Sequence, residues 1–452
     1  YRHRERAVLR QRALLSALAR AGAIDAADYR RALAEPVELR EIEHRFDAPH
    51  FVLAQRAAGG AVIHTTLDRD LQRNVEGLVT THMVRLRARR ASNAAVVVVD
   101  NDSGEVLAYV GSADWANDAI AGRIDMVRAR RQPGSTLKPF VYALAFERGM
   151  QPTHLLADVP TTFREGTGVY QPRNFHRQFL GPISAREALA GSLNVPAVRL
   201  AATLPHGALL RRLRAVGLAS LDADADHYGL SLALGSGEVT LAELAEAFVT
   251  LARGGEHVPL RFGAPSRDAL GEHRSGKQVV DRAVAASIAD SLSDPVARIR
   301  GLGGRGPFDI GFPVAVKTGT SSGHRDSWTV GYTREITVAV WVGNADGAST
   351  HELTGGSGAG PIFGDVMRLA MADVGARRPL WDAHQLEAVR VCPLSGKPAG
   401  DACPDAVLRR VIKRGAPSSC GLHRHGAQHA GKWTCDPRGT HKLTALPHAF
   451  AG

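Results

Sequence analysis

The chain of 452 residues has four cysteines and places none of them before Cys392. Disulfides therefore cannot staple most of the fold, and whatever the thiols do belongs to the tail. Long apolar runs are missing as well. Strictly apolar stretches such as Ala94 to Val99 fall far short of the ~20 residues that cross a bilayer, so no membrane anchor is expected within this chain. There is no initiating Met and no signal-peptide pattern where it opens on Tyr1, and the expectation is a fragment of a longer protein. Internal repeats and low-complexity linkers are also lacking. The net charge of +11 raises nucleic acid as a partner. No basic helix, zinc finger or aromatic-interleaved stripe supports that, and no nucleic-acid partner is expected. The arginines are scattered and read as a solvated basic surface suited to anionic polymers and phospholipid.

What is present is an ordered set of three short runs: Ser135-Thr136-Leu137-Lys138, Ser192-Leu193-Asn194 and Lys317-Thr318-Gly319-Thr320. Taken singly, each has a bland alternative. Ser135 can cap a helix ahead of a solvent-facing Lys, Ser192 and Asn194 can cap another, and the third run can be a strand entering a Gly-containing turn.

Their chemistry is more specific than that. Arg131-Gln132-Pro133-Gly134 forms a turn, and the apolar stretch Leu137 to Phe146 predicts a helix starting at or near Ser135. Ser135 and Lys138 then share a face, with side chains close enough to exchange a proton. Pro139 fits because the first turn does not need its N–H. A Ser hydroxyl needs a base, and a Lys kept neutral by desolvation and nearby positive charge can serve. Ser192 and Asn194 fall between a helix-like segment, Ser184 to Gly191, and another expected after Pro196. From that break Ser192 can relay protons and Asn194 can hydrogen-bond a substrate amide. Val314 to Val316 lead Lys317 onto a strand, where Lys317 and Thr318 can hold a carboxylate and Gly319 admits a second backbone. The N–H groups of Thr320 and Ser135 can form an oxyanion hole.

The ordered triple is the signature of serine acyl-transfer enzymes of the class A β-lactamase and penicillin-binding type, with Leu193 here where that pattern has Asp. The chain resembles the penicillin-binding transpeptidase family over roughly residues 57 to 378. Further matching stretches are Arg131 to Ser135, Asn174-Phe175 through Arg186-Glu187-Ala188-Leu189, Gly235 to Thr240, Asp326-Ser327-Trp328 and Thr354-Gly355-Gly356 to Pro361. The resemblance implies Ser135 as acylated nucleophile, Lys138 as its base, and Ser192 and Asn194 as the second element. It also implies Lys317 and Thr318 as carboxylate binders, and Gly319 and Thr320 at the oxyanion end of the strand. The implied reaction is D,D-transpeptidation of peptidoglycan stem peptides ending in D-Ala-D-Ala. β-Lactams would inhibit it, and no metal or organic cofactor is required. A D,D-carboxypeptidase and a β-lactam sensor that does not turn over are the alternatives. The implied place is the periplasmic face of the bacterial inner membrane, reached through an N-terminal anchor outside this fragment. Anionic wall polymers and other wall-synthesis proteins are the implied neighbours.

In class A β-lactamases a separate Glu between the second and third elements activates the deacylating water. In that interval Glu238, Glu243 and Glu246 belong to a patterned stretch, Val239 to Leu251, that reads as a packed amphipathic helix with its start. Glu256 and Glu272 read as loop residues. Transfer to an amine is therefore favoured over rapid hydrolysis.

The predicted fold class is α+β: an antiparallel sheet flanked by helices, an all-helical lobe, and a small Cys-containing C-terminal module. A hairpin from Ala95 to Val110 precedes the helical middle, and a meander from Lys317 to Gly343 follows it. Residues 1–56, with two short helices broken at Gly22 and a hinge over Arg40 to Ala54, resemble the exit from a glycosyltransferase domain. The body of that domain and its activity are not expected here. Residues 57–378 form the transpeptidase domain. Residues 379–452, with Cys392-Pro393, Cys403-Pro404, Cys420 and His423, resemble the C-terminal module of the penicillin-binding protein 1C type, in incomplete form. Cys392, Cys403, Cys420 and Cys435 allow three disulfide pairings, and a zinc site using His423 or His425 competes with them.

Overall fold

A computed structural model describes residues 4–36, 46–55, 62–165, 168–264, 268, 270–302, 306–375, 377–414 and 418–423. Contacts divide the chain between Asp47 and Ala48. The first unit contains α1 (Arg4–Arg20) and α2 (Ala26–Ala34), joined through a turn at Gly22; the Asp25 side chain caps α2 by accepting from Ala27 and Asp28 N–H. Among the described residues no helix is long and apolar enough to cross a membrane.

The second unit opens with α3 (Pro49–Gln55), whose Phe51 is buried against Tyr109 and Phe262. This puts α3 inside the packed body, although the sequence reading had assigned it to the linker. Next comes α4 (Arg69–Leu86), capped by Asp68, with Val75, Val79, Met83 and Leu86 spaced to bury one stripe. The hairpin β1 (Asn93–Asp100) and β2 (Val106–Val110) follows. The helical lobe comprises α5 (Lys138–Glu147), α6 (Ala185–Ala190), α7 (Asn194–Thr203), α8 (Ala208–Ala215), α9 (Leu241–Ala252), α10 (Arg282–Ser293) and α11 (Pro295–Leu302). The meander β3 (Ala315–Thr320), β4 (Asp326–Tyr332) and β5 (Ile336–Gly343) then completes the sheet, and α12 (Ala359–Ala370) covers it. The tail adds a hairpin of β6 (Leu386–Val391) and β7 (Val407–Ile412).

The five-stranded sheet runs β3-β4-β5-β1-β2, antiparallel throughout. Its alternating residues explain why β1 reads as an unbroken apolar run. Ala95, Val97 and Val99 enter the core shared with α5 to α10, while Ala94, Val96 and Val98 enter a second core with α4 and α12. Both faces are covered, so polar alternation is lost. Strand β3, which carries Lys317 to Thr320, is left at the sheet edge.

The lobe starts its helices with local chemistry visible in the sequence. Ser184 and Glu187 form a capping box at α6, and Thr240 and Glu243 form another at α9. One lobe contact is expensive to disturb. Arg186, buried on α6, pairs with Asp290 and Asp294 at the end of α10, and Arg410 of β7 reaches the same Asp290 at 3.2 Å. Replacing Arg186 by Met leaves Asp290 buried with only an exposed partner. We predict a loss of about 3–5 kcal/mol, the usual cost of orphaning a buried charge, read as a lowered denaturant midpoint. An unchanged midpoint would show that Arg410 suffices.

Candidate functional site

The fold brings the three runs to one cleft of about 880 Å³, lined by Ser135, Ser192, Asn194, Thr318, Gly319 and Thr320 among others. Ser135 lies in a 3-10 turn, Gly134–Leu137, that runs directly into α5 at Lys138. The α-helix therefore starts three residues later than the sequence predicts. The Thr136 hydroxyl and N–H both bond back to the Pro133 carbonyl, tightening that turn. The turn lies against β3 main chain to main chain. A Cβ on Gly319 would sit 2.2 Å from the Pro133 oxygen, and one on Gly134 would sit 2.6 Å from the Thr320 oxygen. Only glycine permits this approach. The Trp328 indole on β4 donates to the Gln132 carbonyl at 2.9 Å, fixing the segment just ahead of Ser135.

Ser192 and Asn194 sit at the break between α6 and α7, as expected, with Ser192 at a left-handed φ of 62°. Helix α7 begins at Asn194, ahead of Pro196, because Pro fits within a first turn. The Asn174 side chain anchors this break. Its Oδ1 accepts from the N–H groups of Asn194 and Val195 at 2.9 and 3.3 Å, and its Nδ2 donates to the buried Asp158 carboxylate at 2.7 and 2.9 Å. Asn174 stood in a matching stretch without an assigned role, and Asp158 gave no signal, being a lone carboxylate at the end of a short strand.

Two amines meet at Ser192. Lys138 Nζ donates to the Ser192 carbonyl and to Asn194 Oδ1, both at 2.6 Å, and lies 3.5 Å from Ser192 Oγ. Lys317 Nζ donates to Ser192 Oγ at 2.7 Å and to the Thr318 carbonyl at 2.9 Å. Both lysines are buried. Burial, and then the charge of Lys317, pushes Lys138 well below the usual lysine range; burial alone lowers Lys317 to about 7. The sequence reading paired Lys138 with Ser135. In the structure the amine donates to the second element, where two strong acceptors compensate its desolvation. A neutral amine has two N–H groups and one lone pair, so these two acceptors leave the lone pair to take a proton. The Asn194 Oδ1 accepts from Lys138 and its Nδ2 donates to the Arg173 carbonyl at 2.7 Å, which leaves one lone pair and one N–H of the amide for a ligand in the cleft it lines.

The site is electropositive. Among the described residues lining the cleft, Asp309 is the one carboxylate. The glutamates weighed for a hydrolytic role have other partners or lie elsewhere. Glu243 completes the α9 cap and Glu246 bonds His257 and the Leu260 N–H. Glu256 lies on a two-residue strand, Glu256–His257, paired with Lys277–Gln278, instead of in a loop. Such an arrangement can bind an anion at Lys317 and move a proton between the two amines through Ser192.

Residues 94–368 match the family described as the penicillin-binding protein transpeptidase domain. The chain belongs to this family. Penicillin-binding protein 1C of Escherichia coli is 37% identical over 315 residues, which cover 69% of this chain and 38% of that protein. Penicillin-binding protein 1A of Neisseria meningitidis is 32% identical over 297 residues, covering 61% and 36%. The chain thus spans somewhat over a third of these relatives and is homologous to both types. In fold it is similar to penicillin-binding protein 1A from Haemophilus influenzae, with a TM-score of 0.70 at 18% identity over 92% of this chain and 83% of that one. It is also similar to PonA1 from Mycobacterium tuberculosis in complex with penicillin V, with a TM-score of 0.57 at 24% identity over 82% and 94%.

In this chain the Asp158–Asn174 pair holds the Ser192 break. Replacing Asn174 by Ala strips two α7 amides and a buried carboxylate of a partner. We predict a stability loss of about 1–3 kcal/mol, the usual desolvation cost of such groups, seen as a lower urea midpoint. Asn174→Asp should do no better, since it faces Asp158 with like charge.

Proposed function

We propose that the chain is the D,D-transpeptidase portion of a bifunctional penicillin-binding protein of the 1C type that cross-links peptidoglycan. The observation that carries this reading is the meeting of Lys138 and Lys317 on Ser192 beneath a cleft lined by Ser135 and Thr318 to Thr320. Residues 48–378 form the transpeptidase domain, 379–452 a C-terminal module of the 1C kind and 1–47 a linker from a glycosyltransferase domain. The periplasmic face of the inner membrane is the proposed place of action, with other wall-synthesis proteins as neighbours.

In the proposed reaction Lys317 and Thr318 bind the terminal carboxylate of a D-Ala-D-Ala stem peptide. Ser135 Oγ attacks the penultimate carbonyl and passes its proton to Lys138, and the N–H groups of Ser135 and Thr320 stabilise the oxyanion. The C–N bond then breaks, and D-Ala leaves with a proton relayed through Ser192. An acceptor amine attacks the ester, loses its proton by the same route and releases Ser135. A β-lactam follows the first half of this path.

Labelled penicillin should form an adduct on Ser135, located by peptide mapping and lost in Ser135→Ala. With no glutamate among the described residues placed to activate water, the adduct should outlast many catalytic cycles. The absent general base corresponds to a factor of about 10²–10⁴ in hydrolysis. Labelling at another residue would refute the nucleophile. Rapid clearance that Asp309→Asn abolishes would favour the carboxypeptidase reading, with Asp309 as base.

The pH dependence separates the two lysines. Acylation requires neutral Lys138, so its rate should rise with pH and level off well below the usual lysine range. Binding of the substrate carboxylate requires charged Lys317, so KM should climb as pH passes about 7. Lys138→Ala should slow acylation by about 10²–10⁴. Lys317→Ala removes a neighbouring positive charge, so it should move the acidic limb of acylation to higher pH. An unmoved limb would show that the two amines are uncoupled.

A further inference from the structure

The tail holds a side-chain cluster that the acyl-transfer site does not use. Cys392, Cys403 and Cys420 are buried free thiols, and His423 joins them. Their Sγ atoms lie 3.6, 3.4 and 3.6 Å from His423 Nδ1, and all four donor atoms fall within 4.8 Å of one another. A tetrahedral zinc with Zn–S of about 2.3 Å and Zn–N of about 2.0 Å separates sulfur from nitrogen by about 3.5 Å. The three observed distances therefore match the edges of such a tetrahedron. Disulfide formation would use two thiols at about 2.05 Å and strand the third. The sequence reading left pairing and zinc open; here the thiols converge on one imidazole. Cys435 and His425 lie outside the described residues.

The backbone is shaped for this convergence. Ser395 and Gly396 N–H groups donate to the Cys392 carbonyl, and the Cys392 N–H donates to Lys397, so Cys392-Pro393-Leu394-Ser395-Gly396 folds into a tight knuckle. Gly396 has φ 68°, and a Cβ there would lie 2.2 Å from the Thr153 oxygen. Cys420 N–H donates to the Pro398 carbonyl, tying the third thiol to the end of the knuckle, and Cys403 N–H donates to the Gly400 carbonyl. The apolar packing around the cluster is slight. Among the described residues its buried members are the three cysteines themselves, with only Ala399 and Ala406 packed against them. A module without large apolar side chains at its centre is the kind that a metal organises.

We propose that Cys392, Cys403, Cys420 and His423 bind one structural zinc ion. Three thiolates and an imidazole fill a tetrahedral shell with no position left open, so the metal is structural instead of catalytic, and soft thiolates select zinc over calcium or magnesium. Binding releases the thiol protons to solvent with no change of oxidation state. Because the knuckle abuts Thr153, just beyond α5, the ion would hold the tail against the lobe.

The test uses the full chain, purified with zinc present and then dialysed. Elemental analysis should give about one zinc per chain, together with protected thiols that become reactive on adding a chelator. Cys392→Ser, Cys403→Ser and Cys420→Ser should each lose the metal, while Cys435→Ser should keep it. Retained labelling of Ser135 by penicillin would show that the rest of each variant is folded. Should the variants fail to fold, cobalt(II) loaded into the chelated parent chain provides the decision. Tetrahedral d–d bands with thiolate-to-cobalt charge transfer, displaced by zinc, support the site. An octahedral cobalt spectrum, absence of stoichiometric zinc, or an intact mass lower by two hydrogens with a mapped disulfide among Cys392, Cys403 and Cys420 would overturn it.

Discussion

Two buried lysines sharing one serine is the constraint around which this domain is arranged. Lys138 enters from the first turn of α5 and Lys317 from the sheet edge, and both end at Ser192. Neither amine has a carboxylate in that contact, so burial holds down the charge of both, and the charge of Lys317 lowers Lys138 further. Such a contact is unfavourable for ammonium ions and acceptable for neutral amines. The lobe and the sheet must close over it to exclude water, and the large apolar core that they share does so. Fold stability is thereby converted into amines that can exchange protons near neutral pH.

That arrangement depends on neutral dipoles as much as on charge. Ser192 holds its carbonyl toward Lys138 because it occupies a left-handed conformation at the end of α6. Residues other than glycine adopt it at a cost, and the Asp158–Asn174 pair fixes the chain on the far side of the break. The serine is thus held from both directions, by helix caps behind it and by a buried amide ahead of it.

Much of this was legible from local chemistry. The helix-like segments Ser184 to Gly191 and Val239 to Leu251, the β-rich runs of β1 and β5 and the turn before Ser135 each announce themselves within a few residues. The meeting of Ser135, Ser192 and Lys317 at one cleft was legible because their order resembled a known pattern; spacing alone could not show it. The partners of Lys138 were not legible, since adjacency on a helix pointed to Ser135, whereas the acceptors that compensate a buried amine lie more than fifty residues away. Asp158 was invisible for the same reason. The tail showed its cysteines but not their geometry, because convergence on His423 depends on a knuckle and a long intervening hairpin.

The backbone approaches of Gly134 to Thr320 and of Gly319 to Pro133 fix the spacing beside Ser135 at one end of the cleft. Packing between side chains can be retuned by exchanging one residue for a slightly larger or smaller neighbour, but two backbones in contact have no such adjustment. The spacing between the Ser135 turn and the sheet edge is therefore a fixed ruler. Any drift in ligand preference must be written elsewhere in the lining, where Phe175, His176 and the segment from Pro307 to Pro313 present side chains that can be exchanged.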